Sequence, residues 1–267
     1  MPFADVPHVI YKKNPLEFVV CQFQFPSLLR IEHESPVDFQ DAVRGQFPLY
    51  QEVRGLGTGL PPEIQKLLES DLTVMPARVR HSFASADGMW EVSLTRGFLA
   101  LTSKKYERWE KFQNILNEPL CALCRIYQPA FFGRIGLRYR NVVRKASYGL
   151  ENLEWPRLLN EHLCGSLATE LASSIQHVAG EILIDLGANS GRVRILHGFL
   201  IDEAGGSAYQ IDTDFFAEPR TECGDGVRIL DSFNEEARRL FRWCISDRLH
   251  DALEPEPVPD RAAYTER

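Results

Sequence analysis

The chain has 267 residues, 44% of them hydrophobic, a formal net charge of -7 and six cysteines. It can bury a sizeable core, its acidic balance excludes nucleic-acid binding by the surface as a whole, and its irregularly spaced cysteines exclude the disulfide frame of a small secreted domain. Met1-Pro2-Phe3-Ala4-Asp5-Val6-Pro7 has neither the basic nor the apolar part of a signal peptide, and no run reaches the roughly 18 apolar residues that span a bilayer, so the expected location is the cytoplasm, with no membrane partner.

After a polar lead-in, Phe18 to Phe25 is rich in strand formers and alternates in its second half, which predicts the first strand. Ser35-Pro36-Val37-Asp38 supplies an N-cap serine, a proline at the first helical position and an acid three residues on, so a short helix is predicted up to about Pro48. Leu49 to Arg54 reads as a short strand, Gly55 to Pro62 as a breaker-rich loop and Glu63 to Ser70 as a weak helix. Val79 to Ala84, Trp90 to Thr95 and Phe98 to Ser103, joined by Ser85-Ala86-Asp87-Gly88 and Arg96-Gly97, predict a three-stranded meander. From Lys105 onward Trp109, Phe112, Leu116, Leu120 and Leu123 recur at helical spacing, predicting a long helix that absorbs or bends at Pro119.

The second half opens with Phe131 to Lys145. Here Ile135, Leu137 and Tyr139 alternate with Arg134, Arg138 and Arg140, which predicts a strand with one buried face and one cationic face. A helix from Trp155-Pro156, broken at Gly165 and resumed to Leu171, precedes predicted strands at Val178 to Leu186, Val193 to Ile201 and Ala208 to Phe216. Gly187 to Gly191 and Glu203 to Gly206 are turn-like, and Asp231 is placed as the cap of a second long helix through Phe233, Leu240, Phe241 and Cys244. From Glu254 the alternation of proline with acids predicts a disordered tail, 254–267.

The order strand, helix, antiparallel strands, long helix thus occurs twice. The expected fold is α+β, with two tandem β-α-β(3-4)-α repeats, 1–130 and 131–253, forming one antiparallel sheet covered on one side by long helices. Trp90-Glu91-Val92-Ser93-Leu94-Thr95 and Tyr209-Gln210-Ile211-Asp212-Thr213-Asp214 echo one another before the two long helices. This element order resembles the saddle of TATA-box-binding-protein-like folds, which implies that the first strands of the two repeats lie side by side and that Arg134, Arg138 and Arg140 project from an open concave face. Asn14 to Glu17, Trp90 to Leu94, Tyr106 to Phe112, Gly136-Leu137-Arg138-Tyr139-Arg140-Asn141 and Asp212-Thr213-Asp214 together resemble an uncharacterised, sporadically distributed family of prokaryotic proteins of about this length. That resemblance implies no activity. The sporadic distribution associates the family with exchangeable gene cassettes such as defence or toxin modules.

The strongest functional lead is the charged face. Alternation puts Gln210, Asp212 and Asp214 on one face of a strand, Glu181 and Asp185 on another, and Arg192 and Arg194 on a third. Arg134, Arg138 and Arg140 could bind phosphates while carboxylates hold a divalent metal, or the same groups could simply form cross-strand Arg-to-Asp pairs. Cys121-x-x-Cys124 and His162-x-Cys164 have metal-ligand spacing but no second pair, and read as core thiols. The glycines at Gly55, Gly57 and Gly59 lack the lysine of a phosphate-binding loop, and His197, in register with Val193 and Ile195, reads as a core histidine. With no catalytic motif, no metal site and no cofactor expected, the favoured function is a non-enzymatic binding or adaptor protein. It would engage a protein partner through its sheet face or edges, with Arg134, Arg138, Arg140, Asp212 and Asp214 as binding residues and self-association as a further mode. The alternative is a nucleic-acid-binding or metal-dependent nucleic-acid-processing component using the same arginines, and a third reading is a small-molecule pocket between sheet and helix.

Overall fold

A computed structural model describes residues 2–54, 79–187, 190–201, 207–218 and 220–258. Its strands are β1 (Val9–Tyr11), β2 (Leu16–Gln24), β3 (Leu49–Arg54), β4 (Val79–Ala84), β5 (Trp90–Leu94), β6 (Phe98–Ser103), β7 (Arg134–Arg144), β8 (Ala179–Asp185), β9 (Arg192–Ile201), β10 (Ser207–Ala217) and β11 (Pro255–Pro257). Its α-helices are α1 (Leu29–His33), α2 (Val37–Val43), α3 (Trp109–Ile126), α4 (Glu161–Cys164), α5 (Gly226–Cys244) and α6 (Asp247–Ala252). The protein is therefore α+β, with a nine-stranded antiparallel sheet in the order β3-β4-β5-β6-β2-β7-β10-β9-β8 and a separate β1-β11 pair. The chain divides into two compact units. One comprises Phe18–Leu137 and Phe216–Asp231; the other comprises the residues up to Glu17, Arg138–Phe215 and the residues from Ser232 on.

In the unit beginning at Phe18, alternation sets the inner and outer faces of the meander. Trp90, Val92 and Leu94 share a face with Leu99 and Leu101, and all are buried. The Phe112 ring of α3 meets Trp90 at 5.7 Å, and Leu116, Leu120 and Leu123 continue the same buried stripe. Pro119 is absorbed within that helix. On the opposite face Val20, Phe98 and Ala100 cluster with Phe18, beside a polar knot in which Arg80, Ser82 and Ser93 all bond the Glu91 carboxylate. Asp231 accepts from Trp109 Nε1 at 2.7 Å and Gln113 Nε2 at 2.6 Å, so the first turns of α3 are tied to α5 by one carboxylate oxygen.

In the other unit, the register of β8 against β9 places Ile182 opposite Ile195 and Gly180 opposite His197. Phe199 N–H donates to Val178 O and Leu186 N–H to Gly191 O, and both bonds extend that register. In an antiparallel ladder the hydrogen-bonded residues alternate, so Gly180, Ile182 and Ile184 bond to β9. The N–H and C=O groups of Ala179, Glu181, Leu183 and Asp185 consequently point away from it, along the end of the sheet. Gly198 has φ +152, and a Cβ there would come within 2.0 Å of Val178 O, so β9 approaches the start of β8 only because the residue is glycine.

Several expectations are corrected. Ser35 does not cap α2: Pro36 holds the cap position, no side chain bonds there, and the helix ends at Val43. The helix expected from Trp155 to Leu171 is a set of short turns, because Pro156, the Asn160 cap and Gly165 at φ +45 each interrupt it. Asp231 lies inside α5, which already begins at Gly226. The tail expected to be disordered from Glu254 instead pairs Pro255–Pro257 with Val9–Tyr11, while 259–267 lie outside the described residues. So do the loop and helix expected over 55–70, residues 188 and 189 of the turn at 187–191, and the whole turn at 203–206. Among the described residues no helix is long and apolar enough to cross a membrane.

Replacing Gly198 with alanine drives a Cβ into backbone, whereas Gly45 has nothing within 4 Å of such an atom. In urea unfolding, Gly198→Ala should lose at least the 1–3 kcal/mol, roughly, of an overpacked site, and Gly45→Ala should lose almost none.

Candidate functional site

The segment richest in sequence signal, β7, is buried along both faces rather than on one alone. Arg138 and Asp212 form a two-pronged ion pair: Nε to Oδ1 at 2.7 Å and Nη2 to Oδ2 at 2.5 Å, with the side chains only 7% and 3% exposed. The guanidinium plane matches the carboxylate, and both carboxylate oxygens are occupied. This cross-strand pair sits out of water, which corrects the expectation that Arg138 and Asp212 stand on a solvated face.

Arg140, two residues on, donates from Nε to Gln210 Oε1 at 3.2 Å and lies 3.8 Å from Glu17 Oε2. Glu17 also accepts from Arg144 Nη2 at 2.5 Å. Gln210, Arg140, Glu17 and Arg144 thus form a polar chain on the same face as the Arg138 pair, with Asp214 half-buried on that face by alternation. Glu17 was not among the expected site residues. It precedes the apolar run of β2, and nothing local marks it as a partner of arginines more than 120 residues away.

Arg134, in the unit beginning at Phe18, is also buried. Its Nη1 donates to Gln22 Oε1 at 3.3 Å, and its guanidinium carbon lies 4.9 Å from the centroid of the Phe216 ring. A Cβ on Gly136 would come within 2.7 Å of Arg134 Nη1. The glycine of the Gly-Leu-Arg-Tyr segment therefore leaves the room in which the Arg134 side chain folds back along its own strand.

The sulfur and imidazole groups do not all pack in the core: Cys121 is exposed and Cys124 half-buried, which corrects their reading as core thiols, and His162 is exposed while Cys164 is buried. His162 stacks on Trp243, while the buried Cys164 thiol donates to the Leu159 carbonyl at 3.9 Å, so the two side chains do not converge. Cys124 lies beside Cys223, which sequence spacing did not connect to it; burial, and then the Cys223 bond, push the Cys124 thiol up to about 12. A thiol so raised stays protonated at neutral pH and is not a ready nucleophile. Among the described residues no group of histidine, cysteine and carboxylate side chains is arranged to hold a metal ion.

His197 is hydrogen-bonded as expected but only half-buried, at the margin of the core rather than within it. Its Nδ1 is 2.7 Å from Tyr209 Oη, and Tyr209 donates onward to the Leu163 carbonyl at 3.1 Å. A carbonyl only accepts, so the phenol proton is committed to Leu163 and His197 supplies the Nδ1–H. Burial lowers the His197 pKa, and burial followed by the Arg242 charge lowers that of His250. His81 is fully buried between the Tyr50 hydroxyl at 3.0 Å and the Ile31 carbonyl at 2.9 Å.

The chain matches no protein-family model, and no curated protein matches it.

Two outcomes are expected. Removing one member of the buried fork, as in Asp212→Ala, should cost about 3–5 kcal/mol in chemical unfolding, because it strands the Arg138 charge. The double change Arg138→Met with Asp212→Leu should regain most of that loss. The second outcome concerns pH. A histidine held below its ordinary 6.5 in the fold leaves the unfolded chain binding more protons below that pH. Its contribution is therefore complete above about pH 6.5 and is lost as pH falls toward the lowered folded value. Urea midpoints should drop on acidification through this window, and His197→Gln should flatten that drop, with His250 supplying part of the remainder.

Proposed function

We propose that the protein is a non-enzymatic binding or adaptor protein that engages a protein partner through the edges of its sheet. The observation that carries this reading is β8, the last strand in the sheet order, where Ala179, Glu181, Leu183 and Asp185 are exposed and turn their backbone donors and acceptors outward. A strand edge that carries no further strand among the described residues is a template for adding one from a partner. The charged middle of the sheet supports the same division of labour. Arg134, Arg138 and Arg140 are engaged by Gln22, Phe216, Asp212, Gln210 and Glu17, and both Asp212 oxygens lie on Arg138, which leaves that carboxylate to structure rather than to a metal.

The two-repeat, saddle-like architecture belongs to the same proposal. The sheet order is consistent with it: β2, the first strand of one repeat, and β7, the first strand of the other, are neighbours. Outward from β2 run β6, β5, β4 and β3, and outward from β7 run β10, β9 and β8, so each half is ordered from its last strand back to its earliest. A duplicated unit gives this mirror order without further assumption. A place in a defence or toxin gene cassette, within the cytoplasm, completes the proposal.

The test is affinity purification of the tagged full chain from its own cells, with and without nuclease. A stoichiometric protein that survives nuclease and falls at least tenfold with Leu183→Glu is the expected result. Co-elution of nucleic acid, lost with Arg140→Gln, would overturn the reading in favour of nucleic-acid binding.

A further inference from the structure

The edge strand β8 is self-complementary, and we infer that it pairs antiparallel with β8 of a second copy of this chain, about a two-fold axis at Ile182. The inference rests on the proposed use of the sheet edge and names its occupant. Its warrant is the register that side-chain chemistry permits.

Only Ala179, Glu181, Leu183 and Asp185 present outward backbone groups, so any pairing must match odd-numbered residues with odd-numbered residues. Three antiparallel registers keep most of the strand in contact. An axis at Glu181 sets that carboxylate against its own copy. An axis at Leu183 sets Glu181 against Asp185 of the other copy, twice. Like charges directly opposite one another are destabilising.

The axis at Ile182 avoids both conflicts and uses the full length of the strand. Glu181 then faces Leu183, and Asp185 faces Ala179. Leu183, an apolar side chain left 51% exposed, is covered by the methylenes of Glu181 and meets its own copy on the diagonal. On the other face Ile182 meets Ile182, and Ile184 meets Gly180, which has no side chain to collide with it. The carboxylates are already balanced from within: Arg194 Nε is 3.3 Å from Glu181, and Arg192 stands in register with Asp185. Bringing two such strands together therefore does not confront four bare charges. The symmetry is isologous, so pairing of β8 with β8 closes after two copies and does not propagate through this edge into a fibre.

This register makes an asymmetric demand on Leu183. A glutamate at 183 would face Glu181 of the other copy, twice per dimer, whereas a lysine there would gain an opposite charge. The experiment is sedimentation equilibrium on the purified full chain and on Leu183→Glu and Leu183→Lys, with circular dichroism and thermal melting to verify that each variant folds. Expected is a dimer for the unaltered chain, association weakened at least tenfold in favour of monomer for Leu183→Glu, and a retained dimer for Leu183→Lys. Ile182→Cys should also give a disulfide-linked dimer under mild oxidation, visible on a non-reducing gel, in a yield that the unaltered chain and Ala179→Cys do not match.

A monomer at every accessible concentration overturns the inference, and so does a dimer indifferent to glutamate at 183. A dimer broken equally by lysine and glutamate points to the Leu183 axis and overturns the register. Failure here is separable from failure of the adaptor reading. A monomeric chain that still recovers a nuclease-resistant protein sensitive to Leu183→Glu sinks the self-pairing alone, whereas a monomer that recovers no protein sinks both.

Discussion

A guanidinium and a carboxylate held almost completely out of water impose the strictest condition on this sheet. Arg138 and Asp212 satisfy one another through two short bonds, and neither has a solvent alternative. The side-chain period of a strand is two, so a slip of β10 by one residue against β7 would turn Asp212 to the helix-facing side and leave Arg138 buried without its partner. The apolar residues between enforce the same register from the other face, where Tyr139 bonds Asn234 and Phe215 meets Phe233. Charge on one face and packing on the other thus specify a single alignment. The polar chain from Gln210 through Arg140 and Glu17 to Arg144 extends the same logic along the strand.

The strands were largely legible in the sequence because their signal is local. Alternation and turn residues place β3, β4 and β6 at the expected bounds and β8 to β10 within a residue or two. What failed depended on partners distant in the chain. Val9–Tyr11 and Pro255–Pro257 are each too short to be read as strands, the second also proline-bearing, and each is one only because the other lies beside it. The Trp155 to Leu171 stretch carries helical spacing, yet proline, a capping asparagine and a left-handed glycine divide it into turns.

The charged residues show the same limit more sharply. Alternation correctly puts Arg134, Arg138 and Arg140 on one face, but it does not reveal whether that face is wet. Burial is a property of the finished sheet, and so are the partners Glu17, Gln22 and Phe216. A face that reads from sequence as a binding surface is, at Arg138 and Asp212, an internal fastening. Exposure and outward-facing backbone groups without a strand partner among the described residues occur together instead at the ends of the sheet, as in β8, whose motif-free sequence gives no warning of it. Its value lies in what alternation does to a seven-residue edge: one set of backbone groups is spent on β9 and the other is presented outward.

The measurement that tests this account most directly is residue-resolved amide hydrogen exchange along β8 as a function of chain concentration. With Gly180, Ile182 and Ile184 bonded to β9, their amides should be protected at every concentration. The amides of Ala179, Glu181, Leu183 and Asp185 should exchange freely in dilute chain and become protected as a second strand is recruited. Odd-numbered amides that exchange freely at all concentrations would contradict the claim that this edge is used for self-pairing, and odd-numbered amides protected even at high dilution would contradict the claim that the edge is open at all.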